Sequence, residues 1–349
     1  MKQIYILTAF LFISITNLKA QAADVVTGLN GPRGILLNGN DLYIAETGTG
    51  KISKIDITST SPNVIDVVTG IANPIGIVLN GNDLYISESF SGKILKVDIT
   101  ATSPTTTDVV TGLNKPNGIM LNGNDLYIAE FSSHKISKID ITANSPTITD
   151  VVTGLNTPHG LAISGNELYI SEFGGDKISK IDITATSPTT TDVVTGLNRP
   201  QGLLINGNNL YIAESFANKI TKIDITATSP TTTDVVTGLN NPRELLLNEN
   251  ELYISELGGH KISKVILSTL TVNENSLKKK TNVFPNPSAN LLQVIGSNEP
   301  EKYKIYNSLG QKISKGEISN NEKIDIQNLT NGIYFLKLEN GNTLKFIKE

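Results

Sequence analysis

Between Asp24 and Leu267 the apolar residues fall in short runs broken by Gly, Asn, Thr, Ser and Pro. Residues 160–197 show the type: "GLAIS", "LYISE", "KISKIDI" and "TDVVTGL". No run carries the 3.6-residue period of an amphipathic helix, and β-rich runs flanked by turn residues predict strands. The four runs recur with a period of 42 residues, in units that begin at Asp24, Asp66, Asp108, Asp150, Asp192 and Asp234 and open with DVVTG. Each unit continues through P-x-G, a Gly-Asn turn, LYI followed by Ala or Ser and then Glu, and K-I-x-K. The sixth departs twice, with Glu244 in place of the P-x-G glycine and Glu249 in place of the turn glycine. Four antiparallel strands per unit of this length make a β-propeller blade.

The ends of the array predict how it closes. The chain enters with an outer-strand sequence, DVVTGL at 24–29, before any inner strand, and the sixth unit stops after its third run near Leu267. The first strand is therefore expected to complete the sixth blade, which removes a free sheet edge. The fold class is all-β: a six-bladed β-propeller over 24–267, closed by its N-terminal strand. Tyr43, Tyr85, Tyr127, Tyr169, Tyr211 and Tyr253 recur in LYI. They are expected between neighbouring sheets, each contributing about 1.5–3 kcal/mol by burial.

After Leu267 the period is lost. Residues 268–281 read as a polar linker with a basic run, and 282–349 alternate apolar and polar residues around Gly and Asn turns, as a small β-sandwich does. At the other end, the apolar stretch 4–15 follows Lys2 and precedes small residues at Ala20 and Ala22, the pattern of a signal peptide over 1–22. It is short for a membrane helix, and no other stretch approaches the roughly 20 apolar residues a span requires, so no membrane span is expected in the mature chain.

Composition narrows the function classes. The chain of 349 residues is 38% hydrophobic, enough to bury a core, and has no cysteine, so packing alone must stabilise it. Acidic residues outnumber basic ones over 24–267, whereas basic ones prevail after 268. An acidic major domain argues against nucleic acid as a partner. The G-x-S-x-G, H-E-x-x-H, phosphate-loop and EF-hand patterns are absent.

Candidate chemistry concentrates on one face. The inner strand of a blade runs down the central channel and the second returns, so the P-x-G loop and the residues after LYI-[AS]-E share what we call the top. A two-residue turn at Gly165-Asn166 sets Ser164 opposite Glu167. If the ladder runs unbroken, His159 lies opposite Glu172, with Cβ atoms about 4.5–5.5 Å apart, although Gly160 permits a bulge. The same count pairs Arg33 with Glu46, Ile75 with Glu88, Asn117 with Glu130, Gln201 with Glu214 and Arg243 with Glu256. A glutamate repeated six times is expected to do a repeated structural job, such as accepting backbone N–H groups from a loop. The varied partners are where a unique site would be written. Arg33 and Arg243 belong to blades made adjacent by closure, while Asn117, His159 and Gln201 lie across the ring, an asymmetry that suits a ligand with an anionic or carbonyl end. Surface-like ion pairs are the alternative. Phe90, Phe131, Phe173 and Phe216 follow the glutamates of blades two to five and suggest a platform for a sugar, a peptide or an apolar ligand, with inter-blade packing as the alternative. His134 and His260 fall in loops between second and third strands and read as surface variation.

The P-x-G-I, L-Y-I-A-E and K-I-x-K-I-D elements resemble the NHL and YWTD six-bladed propellers, and the Glu-terminated run resembles the repeats of streptogramin (virginiamycin B) lyases. The lyase resemblance implies His159 as a general base, with Glu172 beside it and nearby carboxylates holding magnesium. The lyases, however, have seven blades, and Thr157 stands where they tend to carry a further acidic ligand. Gluconolactonase-type propellers offer a second comparison, in which Glu130, Asn117 and Glu172 would hold a divalent cation, Mg²⁺ or Ca²⁺. In the tail, Pro285-Asn286-Pro287, YNSLGQ, NGIYFLKL and the basic end with Lys345 and Lys348 resemble the type A C-terminal sorting domain of the Bacteroidetes type IX secretion system. That resemblance implies the secretion machinery as a partner of 282–349 and a secreted or cell-surface destination; a carbohydrate-binding sandwich is the alternative. The leading expectation is a non-enzymatic propeller that binds a small molecule, glycan or peptide through its top face and needs no cofactor. The alternatives are a metal-assisted lyase or lactonase using His159 and Glu172, and an adhesive surface protein without a pocket.

Overall fold

The structure, a computed structural model, describes residues 22–267, 282–295, 301–308, 310–318, 322–338 and 343–349. The expected signal peptide, apart from Ala22, and the basic linker lie outside these residues. The chain divides into two units at Leu267, and the described residues form strands without a helix.

In the first unit six four-stranded antiparallel sheets follow one another. The first blade comprises β2 (Pro32–Asn38), β3 (Asp41–Glu46), β4 (Lys51–Asp56) and β5 (Ile65–Thr69), and the next four repeat it as β6–β9, β10–β13, β14–β17 and β18–β21. The sixth holds β22 (Pro242–Asn248), β23 (Glu251–Glu256) and β24 (Lys261–Ile266), and its outer strand is β1 (Ala23–Thr27) from the start of the chain. An ion pair shows that this closure reproduces an ordinary blade. Within blades, Lys51 holds Asp66 at 2.6 Å and Lys177 holds Asp192 at 2.6 Å; at the seam Lys261 holds Asp24 at 2.5 Å.

The core lies between blades. Tyr43, Ala45, Ile52 and Val68 of the first blade pack on Ile77, Leu84, Ile86 and Val97 of the second, and corresponding clusters recur around the ring. All six LYI tyrosines are buried, as the repeat predicts.

One expectation needs correction. From its turn, β14 pairs with β15 as counted: Ser164 with Glu167, Ile163 with Leu168, Ala162 with Tyr169 and Leu161 with Ile170. The register then shifts, and Pro158 rather than His159 faces Glu172. The same shift occurs in all six blades, so Arg33, Asn117, Gln201 and Arg243 are not the cross-strand partners of their glutamates either. At five of the six bulges a glycine lies in close approach to the next inner strand. A Cβ on Gly160 would lie 2.0 Å from the Gln201 carbonyl oxygen, and one on Gly118 would lie 2.2 Å from that of His159. The bulge at these glycines adds a residue to the inner strand and re-aims the preceding side chain.

The second unit has two sheets. One orders β25 (Asn282–Phe284), β26 (Leu291–Ile295) and β29 (Lys323–Asp325); the other orders β28 (Lys312–Ile318), β27 (Glu301–Asn307), β30 (Gly332–Leu338) and β31 (Thr343–Lys348). Leu292, Val294, Ile305, Leu336 and Phe346 of both sheets form one core. Asn286, central in Pro285-Asn286-Pro287, accepts the Ile347 N–H at 2.9 Å and donates to the Lys345 carbonyl at 3.1 Å. That motif thus fastens the start of the unit to its last strand.

Candidate functional site

The repeated glutamates are structural. Glu172 is buried, accepts the Asn156 N–H at 2.7 Å and faces Lys177 at 3.5 Å. Glu130 does the same with Asn114 at 2.8 Å and Lys135 at 3.4 Å, and also accepts the Ser137 hydroxyl. Glu46, Glu88, Glu214 and Glu256 each accept one loop N–H in the same way. Each carboxylate satisfies a donor in the loop entering its own inner strand, the job the repeat predicts.

The bulge turns four ring residues toward the channel. Arg33, Ile75, His159 and Arg243 line a narrow space at the top, together with Gly34, Gly76, Gly118 and Glu244. These polar groups line the space, yet protein surrounds them, and their protonation reflects it. Burial, followed by the charges of Arg33 and Arg243, holds the His159 imidazole well below its usual value, hence neutral at physiological pH. Burial and then Arg33 lower Arg243 to about 9, so both guanidinium groups remain charged at neutral pH. Burial pushes the Glu244 carboxyl up to about 7, against the pull of the Leu245 N–H.

Sequence reasoning registered Glu244 only as a flaw in the repeat. Its meaning is spatial: five junctions between inner strands require glycine, and the sixth blade alone carries a side chain there. The carboxyl folds toward the fifth blade, where a Cβ on Gly202 would meet Glu244 Oε1 at 2.9 Å. The signal was the one broken glycine in six.

Asn117 and Gln201 are not brought into this space. Both are buried; Gln201 donates to Ser215 at 3.0 Å, and Asn117 lies 3.4 Å from the Ser89 hydroxyl. Alternate blades carry a further latch. The Ser87, Ser171 and Ser255 hydroxyls donate to the carbonyls of Asn117, Gln201 and Arg33 in the next blade at 2.6, 2.7 and 2.5 Å. Odd blades carry alanine at that position.

Beside the channel stands an aromatic arc. Phe131 and Phe173 have ring centroids 6.1 Å apart, Phe173 and Phe216 are edge-on at 6.1 Å, and the His159 ring lies 6.3 Å from Phe173. Arg199, which the sequence did not single out, lies over Phe173 at 4.9 Å and Phe216 at 5.9 Å, and donates to the Phe173 carbonyl at 3.2 Å. Phe216 is 60% exposed, which leaves its ring open to a ligand. Phe90 is 75% exposed and stands apart from the arc. The two remaining histidines have partners after all: His134 accepts the Thr157 N–H at 3.2 Å and His260 that of Gly31 at 3.5 Å, each bridging to the next blade.

The donors do not suit a divalent cation. Glu130 and Glu172 are engaged in separate blades, and among the described residues no three His, Cys, Asp or Glu side chains converge as ligands. Two guanidinium groups at the channel mouth would repel a cation there.

Fold and tail together define an exported six-bladed β-propeller protein with a C-terminal sorting domain. Residues 282–349 match the family model described as "Secretion system C-terminal sorting domain", and this type IX tail marks the chain for the secretion machinery and a secreted or surface location. No curated protein matches the chain in sequence. Among solved structures, a streptogramin B lyase is similar with 20% identity and a TM-score of 0.53, covering 70% of this chain and 82% of that one. A luciferin-regenerating enzyme reaches 0.60 at 14% identity, covering 70% and 95%. An auxiliary nutrient binding protein from Bacteroides ovatus reaches 0.56 at 14% identity, covering 69% and 72%. Identities this low speak for the fold alone.

Proposed function

We propose that the propeller is a secreted or surface-held binding module that captures a small molecule, glycan or peptide on its top face. The observation that carries this reading is the arc of Phe131, Phe173 and Phe216 with Arg199 laid over it, beside the channel mouth. Phe216 is exposed and Phe131 and Phe173 are half-buried, so the tilted rings offer an apolar edge for a sugar face or an aromatic or aliphatic side chain, and Arg199 lies against two of them. Similarity to a nutrient binding protein of the same fold is compatible with this reading but does not carry it. The test is binding of the full chain to glycan and peptide arrays. Phe173→Ala is expected to abolish the signals that wild type gives, while Phe90→Ala preserves them. Equal binding by wild type and Phe173→Ala would reject the reading.

A second reading, a lyase or lactonase with His159 as general base, is favoured by one observation: the imidazole is neutral and faces the channel. It lacks the orienting carboxylate that the resemblance implied, because Glu172 is turned into its own blade. Turnover of lactone or streptogramin substrates that is lost in His159→Ala would establish it.

A further inference from the structure

We propose that Arg33 and Arg243, on the two inner strands that meet where the ring closes, bind a carboxylate group of the ligand at the mouth of the central channel. This rests on the top-face reading above and names the chemistry of one end of the ligand.

Four observations lead to it. First, the two arginines sit on neighbouring strands, β2 and β22, and line one space. Like charges brought together there raise each other's energy unless an anion lies between them. Second, the protein supplies no settled counter-charge. Neither guanidinium forms an ion pair among the described residues, and the Nε atom of each is buried without a hydrogen-bond partner. Buried guanidinium donors are ordinarily satisfied, and two guanidinium groups that line one space without an ion pair favour an acceptor with several lone pairs there. Third, the nearest carboxyl, Glu244, is turned against Gly202 in the fifth blade and bonds to the Leu245 N–H at 3.2 Å. Fourth, the space between the inner strands is narrow, lined by Gly34, Gly76 and Gly118 beside the two arginines. A guanidinium fork matches either a carboxylate or a phosphate, and the carboxylate is the smaller, planar group of the two.

The arc of Phe131, Phe173 and Phe216 and the arginine pair then divide the work. The rings hold the body of the ligand, and the arginines hold its acidic end. His159, which is neutral and 6.3 Å from Phe173, stands between the two. A uronic acid, an acidic side chain or a peptide C-terminus carries the required group.

The test uses the full chain and simple probes: acetate, succinate and phosphate as sodium salts, each against sodium chloride at matched ionic strength. Binding is read from the thermal midpoint and from ligand-observed NMR. Acetate and succinate are expected to raise the midpoint of wild type above the chloride control. Arg33→Gln and Arg243→Gln should each weaken binding about tenfold or more, as loss of a charge-assisted donor pair does. Arg33→Lys, which keeps the charge but loses the fork, should fall between. Phe90→Ala, apart from the arc, should leave acetate binding unchanged, and acetate itself has no body for the rings to hold. This separates the proposal from the top-face reading, which is judged on the arrays. No carboxylate effect beyond chloride, or an effect retained in both glutamine variants, would overturn the proposal. A response to phosphate equal to that to acetate would overturn the carboxylate assignment. The circular dichroism of each variant in chloride verifies that it has folded.

Discussion

Glu172 faces Pro158 across β14 and β15, while His159, one residue further on, looks into the central channel. Two adjacent positions therefore do unrelated work, one holding a loop and the other lining a cavity. The carboxylate holds the loop because its oxygens are already committed to Asn156 and Lys177.

Glu172→Ala should cost stability and leave carboxylate binding unchanged. Removing a buried acceptor strands the Asn156 N–H, a loss of about 1–3 kcal/mol. Glu214→Ala in the next blade should cost a similar amount, because it strands Asn198 in the same way. Urea denaturation of the two variants compares them; an unchanged midpoint for Glu172→Ala with altered ligand binding would contradict the structural role.

Gly160→Ala should be severe and Glu244→Gly mild. The alanine methyl would meet a backbone carbonyl 2.0 Å away, which no rotamer can relieve, whereas removing Glu244 restores the residue found at the other five junctions. Overpacking of this kind costs about 1–3 kcal/mol or more. Thermal midpoints of the two proteins should fall on opposite sides of a 1 kcal/mol loss.

Stability should decline from mildly acidic to neutral pH because of Glu244. Its carboxyl titrates near 4.5 when unfolded and about 7 when folded, so its contribution is full below 4.5, falls as pH rises to about 7 and is lost above. Over pH 5 to 8 the loss is at most about 2–3 kcal/mol. The charged groups on the surrounding strands are Arg243 on its own strand, Arg33 on β2, Glu251 and Glu256 on β23, Glu214 on β19 (Asn209–Glu214) and His159 across the channel; β18 (Pro200–Asn206) brings only neutral side chains. His159 acts in the opposite sense. Its folded value lies below the unfolded 6.5, so its contribution is present above 6.5 and is lost as pH falls toward the folded value. Urea titrations from pH 5 to 8 should show a flatter neutral limb for Glu244→Gln and a flatter acidic limb for His159→Gln. Wild-type-like curves for both would contradict the burial of these groups.

Removal of 282–349 should block export while leaving the propeller folded. The tail has its own core, separate in the chain from the six blades. In a host with type IX secretion, the truncated protein should be retained inside the outer membrane and the full chain found at the surface or in the medium. Fractionation with antibody detection reads this directly.

By itself, the sequence determined the blade count, the closing strand, the tyrosine core, the structural glutamates and the sorting tail. These follow from patterns that recur or run locally: a period, an alternation, a motif in order. Turn arithmetic also paired β14 with β15 correctly from Ser164 back to Leu161. It failed at His159 because each inner strand carries a bulge just beyond that position, where the neighbouring inner strand comes so close that the Gln201 carbonyl leaves no room for a Cβ on Gly160. Only the tertiary structure could decide that the Nε atoms of Arg33 and Arg243 are buried without a partner, that Asn117 and Gln201 turn into the wall, and that Arg199 lies over Phe173. Such facts depend on side chains from different blades meeting across gaps in sequence, where neither spacing nor composition carries a signal. Glu244 stands between the two: visible in the sequence as a broken repeat, its carboxyl was set against Gly202 of the fifth blade only by the closed ring.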